Sequence, residues 1–205
     1  MKNETIMKLS RGFTLIELLV VIAVLLFVVG TAIGIFISVV NHQRIILNEQ
    51  ELLNQTSYVL EHMSKALRMA GKDWDGSCLG EDYIGHNYLL THQNLSSGFY
   101  EGIKFINQSD NSACQEFYLD TSAGTLKEIK NNGDAIAITS DKFIINFIRF
   151  GINGKNGSAS DEETDNEGVQ PRVTIYLDIQ TDGDSDGQSK KIQTTVSQRD
   201  LNAQQ

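Results

Sequence analysis

Hydrophobicity changes its period three times along this chain, and each change predicts an element. From residue 18 to 40 no side chain is formally charged, a run long enough to cross the core of a bilayer as a helix. From Asn41 the pattern turns amphipathic. Ile45, Leu52, Val59, Met63 and Leu67, flanked by Leu53, Leu60 and Ala70, recur at helical spacings, and Glu49, Glu51, Glu61, Lys65 and Arg68 fall between them. No glycine or proline interrupts this part until Gly71, which suits a C-cap, with Arg68 and Lys72 near the negative end of the dipole. One helix over 13–70 would be about 87 Å long at about 1.5 Å per residue. Its second half carries too few heptads for a dimeric coiled coil, so its stripe is expected to cover a face of the following domain.

Residues 72–98 are rich in Gly, Asp, Ser and His and predict a long irregular loop. Beyond it the period falls to two. Strands are predicted over 100–106, 116–119, 125–129, 135–139, 143–150, 173–180 and 191–197. Alternation is clearest where Val173, Ile175, Leu177 and Ile179 face one way and Thr174, Tyr176 and Asp178 the other. Turn pairs Ala123-Gly124, Asn132-Gly133, Asn153-Gly154 and Asp182-Gly183 separate the runs. The expected fold class is α+β: a long N-terminal helix packed on a C-terminal antiparallel sheet. The segments are a short leader over 1–12, a membrane-spanning half-helix over 13–40, an amphipathic half over 41–71 and a β-rich globular domain over 72–205.

Composition narrows the partners. The chain has 205 residues, with 17 Lys+Arg against 26 Asp+Glu and a net charge of −9. No basic stripe is present, which argues against nucleic-acid binding. Cys78 and Cys114 are its only cysteines. In a domain outside the cytoplasm such a pair is most simply a disulfide, since a metal site needs more ligands. The basic start (Lys2, Lys8, Arg11) holds the N-terminus on the cytoplasmic side and leaves the C-terminal domain outside. The apolar run far exceeds the ~7–15 residues of a secretory signal core, and no small-residue cleavage site follows it promptly. The polar-to-apolar junction instead precedes it, between Gly12 and Phe13. Met7 is an alternative start that keeps a basic leader.

Glu17 is the one carboxylate at the head of the apolar run. A charge there costs several kcal/mol unless paired, so it marks a functional site. The obvious cation nearby is the amine that cutting after Gly12 would create on Phe13. The bland alternative is a snorkelling side chain without a specific partner.

The string RGFTLIELLVVIAV over 11–24 resembles the processing motif of type IV prepilins and type II secretion pseudopilins. The resemblance implies that a membrane prepilin peptidase cuts between Gly12 and Phe13 and methylates the new amine of Phe13. It also implies that Glu17 pairs with the N-terminal amine of a neighbouring subunit during assembly. The implied fold is pilin-like. The implied partners are the peptidase, other pilin or pseudopilin subunits, an inner-membrane assembly platform and, before assembly, the lipid bilayer, with no nucleic acid. The implied location is the bacterial cytoplasmic (inner) membrane and then the pilus or pseudopilus. Gly30 and Gly34 stand where most of the family has a helix-interrupting proline. They permit local melting, a close-packing face, or simply two tolerated glycines. Phe147, Arg149 and Phe150, then QPRVTIYLDI over 170–179 and IQTTVSQRD over 192–200, resemble J-type minor pseudopilins and related minor pilins.

Three further groups invite chemistry. Asp182, Asp184, Asp186 and Gly187 form D-x-D-x-D-G, the opening of a calcium loop. The ninth and twelfth positions are Lys190 and Gln193, so a solvated acidic turn is favoured, with calcium the alternative and no other cofactor expected. Asp161, Glu162, Glu163, Asp165 and Glu167 read as a solvated acidic loop. His42 and His62 on the helix, and His86 and His92 near Cys78, lack the partners of a zinc site or catalytic triad, and no enzymatic activity is expected. The expected function is a structural minor subunit at a filament tip or initiating complex. The alternatives are a filament-displayed adhesin or a membrane-anchored binding ectodomain, and a membrane-anchored enzyme is disfavoured.

Overall fold

The computed structural model describes residues 12–154, 170–182 and 189–199. The chain divides into two compact units, Met1–Asn48 and Glu49–Gln205, and helix α1 (Leu15–Arg68) contributes to both.

In the first unit α1 is exposed almost throughout. Its most apolar stretch has a mean hydropathy of 3.0 and buries nothing. Side chains such as Phe27 and Phe36 stand 74% and 68% exposed. An apolar surface of this extent needs lipid or like helices around it.

The second unit is the α+β body. Among the described residues nine strands follow the helix: β1 (Ala70–Gly71), β2 (Tyr88–Gln93), β3 (Tyr100–Asn107), β4 (Ala113–Asp120), β5 (Thr125–Lys130), β6 (Ile136–Ala137), β7 (Phe143–Asn153), β8 (Arg172–Thr181) and β9 (Lys190–Ser197). They form one sheet in the order β6-β5-β4-β3-β7-β8-β9, with β1 and β2 also pairing to β3. Every pairing is antiparallel. The helix lays Leu52, Val59, Met63, Ala66 and Leu67 into a core with Ile103, Phe105, Phe117, Ile148, Ile175 and Leu177. Thr56 is buried on the same stripe because its hydroxyl donates back to the Leu52 carbonyl at 2.7 Å.

Four expectations need correction. Ile45 is 62% exposed, so the seam with the sheet begins only at Leu52. The helix ends at Arg68, not at a Gly71 C-cap; Ala70 and Gly71 pair with Asn107 and Ile106. A Cβ at Gly71 would run into the flexible Gln108 side chain, which would have to move aside. Within 72–98, expected to be irregular throughout, β2 pairs with β3. Its apolar residues are consecutive rather than alternating, which hides the strand from a period-two test. The turn after β5 places its left-handed residues at Asn131 and Asn132, one position before the expected Asn132-Gly133 pair.

β7 runs longer than its predicted 143–150 and carries a bulge between Ile145 and Phe147. That irregularity resets the alternation, so Phe143 and Ile145 point inward before it and Ile148 and Phe150 after it. Asp178 lies on the outer face as predicted but is covered. Asn146 donates to its Oδ1 at 3.0 Å, and the Lys191 ammonium lies 3.9 Å from Oδ2.

The loop between β1 and β2 is organised by Asp73, which is fully buried. Its Oδ2 accepts the backbone N–H groups of Cys78 at 3.0 Å and Leu79 at 2.6 Å. Its own backbone exchanges hydrogen bonds with Gly85 and His86. Cys78, held in this way, forms a disulfide with Cys114 at the start of β4, with the Cα atoms 5.4 Å apart.

Candidate functional site

Glu17 sits in the first turn of α1, and its side chain is exposed without a partner among the described residues. Gly12 and Phe13 precede the helix, and Phe13 is 83% exposed, so both sides of the bond between them are accessible. Thr14 was not singled out by the sequence reading, yet it caps the helix. The Glu17 N–H donates to its Oγ1 at 3.3 Å, and the Leu18 N–H to its carbonyl at 3.2 Å. The signal was available as Thr14-x-x-Glu17, the spacing of a capping box. The backbone N–H of Glu17 is thus used locally while its carboxylate stays free. The N-terminal helix dipole also favours a negative charge at that turn.

Further along, a Cβ added at Gly30 or Gly34 would meet nothing within 4 Å. Within this chain neither glycine is demanded by packing.

The remaining candidates are dispersed. Cys78 and Cys114 are joined as described. Asp182 follows β8 in an exposed turn, its N–H donating to the Lys142 carbonyl at 2.8 Å. Asp184, Asp186 and the acidic run 161–167 lie outside the described residues. Among the described residues no group of three or more His, Cys, Asp or Glu side chains is placed to hold a metal ion. His62 bridges helix and sheet instead, with Nε2 3.2 Å from Glu128 Oε2 and its ring edge-on to Phe117. His92 takes a positive φ of 52° and stacks on Tyr118 with ring centroids 4.5 Å apart. A Cβ on Gly102 would run into His92 and the neighbouring Thr91, so that glycine permits their approach. His92 and Thr91 both reach Glu116 Oε1, at 3.3 and 2.6 Å. The Thr91 hydroxyl donates to the carboxylate and not to the imidazole, so the group lacks a base-activated nucleophile.

An exposed apolar helix with Glu17 in its first turn is consistent with membrane anchoring. Residues 7–33 match the family model described as the prokaryotic N-terminal methylation motif. The match supports a type IV pilin-like family, which is structural and not enzymatic. It implies processing by prepilin peptidase and assembly with other pilin subunits, and with the apolar helix it is consistent with inner-membrane anchoring. No curated protein and no solved structure matches the chain.

Proposed function

We propose that this chain is a minor pilin or pseudopilin subunit that enters a type IV pilus or type II secretion pseudopilus at its tip or initiating complex. The observation that carries this reading is the Glu17 carboxylate, without a partner among the described residues, at the head of an exposed apolar helix, four residues after the Phe13 that processing would make the N-terminus. In lipid or in a helix bundle that carboxylate needs a cation. The Phe13 amine of a neighbouring subunit supplies one and sets the axial stagger between the two helices. Support for the minor role comes from the J-type resemblance at Phe147, Arg149, Phe150 and 170–179. The orientation follows from the basic leader, which keeps residues 1–12 inside and the sheet domain outside.

The test is intact-mass and N-terminal analysis of the chain expressed with and without a prepilin peptidase. Loss of residues 1–12 with one methyl group on Phe13 is expected only when the peptidase is present. A retained leader, or cutting after Val40, would overturn the reading. In the same cells Glu17→Ala is expected to leave membrane insertion and cleavage intact while abolishing incorporation into filaments, scored by shearing and immunoblotting.

A further inference from the structure

The second unit carries an open pocket of about 670 Å³ where the end of α1 meets the segment leaving β9. Lys65, Arg68, Ser109, Thr195, Ser197 and Arg199 line it, and no carboxylate does. In a chain of net charge −9 this concentration of cations is against the overall balance.

Cations in the last turn of a helix are ordinarily drawn to its free carbonyl groups. Here those carbonyls already have donors. Leu67 accepts the Tyr88 hydroxyl at 2.7 Å, and Arg68 the Arg199 backbone N–H at 2.8 Å. Met69 accepts the Gln108 N–H at 2.9 Å, and Ala70 the Gln198 side-chain amide at 2.7 Å. The guanidinium groups of Arg68 and Arg199 are therefore left over, and neither has a partner among the described residues. Their backbones, bonded to each other, hold them together. Lys65 pairs with Glu61 at 2.7 Å, but both side chains are largely exposed and such a pair is weak enough to exchange. Ser109 gives its proton to Asn107 Oδ1, whereas the Ser197 hydroxyl is uncommitted among the described residues.

Two guanidinium forks, an ammonium and a hydroxyl match carboxylates. The pocket is open rather than enclosed, which suits an extended segment better than a small molecule. The chain itself carries that chemistry: Asp161, Glu162, Glu163, Asp165 and Glu167 place five carboxylates within seven residues. We propose that the pocket receives this acidic run from a second copy of the chain. The contact is heterologous, basic pocket to acidic run. It does not depend on leader removal or on Glu17.

The test uses the full chain in detergent, with a photo-crosslinking residue in place of Ser197 and equal amounts of isotopically light and heavy protein. Mixed light–heavy pairs joining position 197 to residues 155–169 are expected. Their yield is expected to fall at least about tenfold in Arg68→Glu/Arg199→Glu, because like charges then face each other. It is expected to recover when that variant is mixed with Glu162→Arg/Glu163→Arg. Salt at about 1 M, where the Debye length is about 3 Å, should produce the same loss without any substitution. Same-label pairs alone would show that each chain fills its own pocket and would overturn the proposal. So would crosslinks outside the acidic run, no crosslinks, or a yield indifferent to charge and salt. Intact mass read on the same samples reports leader processing separately, so failure of the contact and failure of the assembly reading are distinguishable.

Discussion

Asp120 shows how one side chain can set the acid response of this molecule. The Lys127 ammonium, 2.6 Å away, and then the Ser122 hydroxyl hold its carboxyl below the usual carboxylate range. A carboxyl whose folded pKa is depressed adds stability above its unfolded value, near 3.9, and loses it as pH falls toward the folded one. Melting temperatures measured from pH 7 down to pH 2 are therefore expected to fall more steeply below about pH 4 in the wild type than in Asp120→Asn. The two curves should converge at the acid end. Parallel curves would mean that the pair contributes nothing. Asp73 works differently: fully buried, it accepts two N–H groups and so organises its loop.

At the scale of elements, α1 has one sequence pattern but two destinations. The side chains of Leu67 and Met63 are fully buried against the sheet. Truncating either to alanine leaves a cavity that surrounding structure fills only partly, at a cost of about 2–5 kcal/mol. Ile45→Ala removes a side chain that is 62% exposed and is expected to change domain stability by less than about 0.5 kcal/mol. Urea unfolding of the three variants in detergent checks the contrast. Comparable losses at positions 45 and 67 would extend the seam to residue 45. β7 makes the same point for strands, because its bulge lets both Ile145 and Ile148 reach the core. Without it, a strict alternation would turn Ile148 and Phe150 outward.

For the whole molecule, the Cys78–Cys114 bond ties the loop after the helix to the sheet across 36 residues. By chain entropy a closed loop of that size contributes about 3–4 kcal/mol. Reduction, or Cys78→Ser/Cys114→Ser, is expected to lower the unfolding free energy by that amount and to loosen the loop around Asp73 first. Hydrogen exchange would read this as lost protection at the Cys78 and Leu79 amides before the core strands. Uniform loss across the sheet would show instead that the bond supports the domain as one unit.

The sequence alone determined what local periodicity and charge can carry. The uncharged run, the amphipathic half-helix, the α+β class and most strands from β3 onward follow from patterns within a few residues. Gly12, Phe13 and Glu17 stand out because a short string and a lone carboxylate need no tertiary context. The two cysteines could be matched because there were no others. What needed the tertiary structure depends on contacts between distant segments. β1 and β2 exist because β3 offers them an edge, and the β7 bulge answers the register of β8. Ile45 lies outside the seam because packing against the sheet begins at Leu52. Arg68 and Arg199 meet because the segment after β9 bonds to the carbonyls at the end of α1. A window along the chain measures which face a residue prefers. It does not measure which distant backbone will satisfy that residue's hydrogen bonds, and those bonds place the strands and the basic pocket.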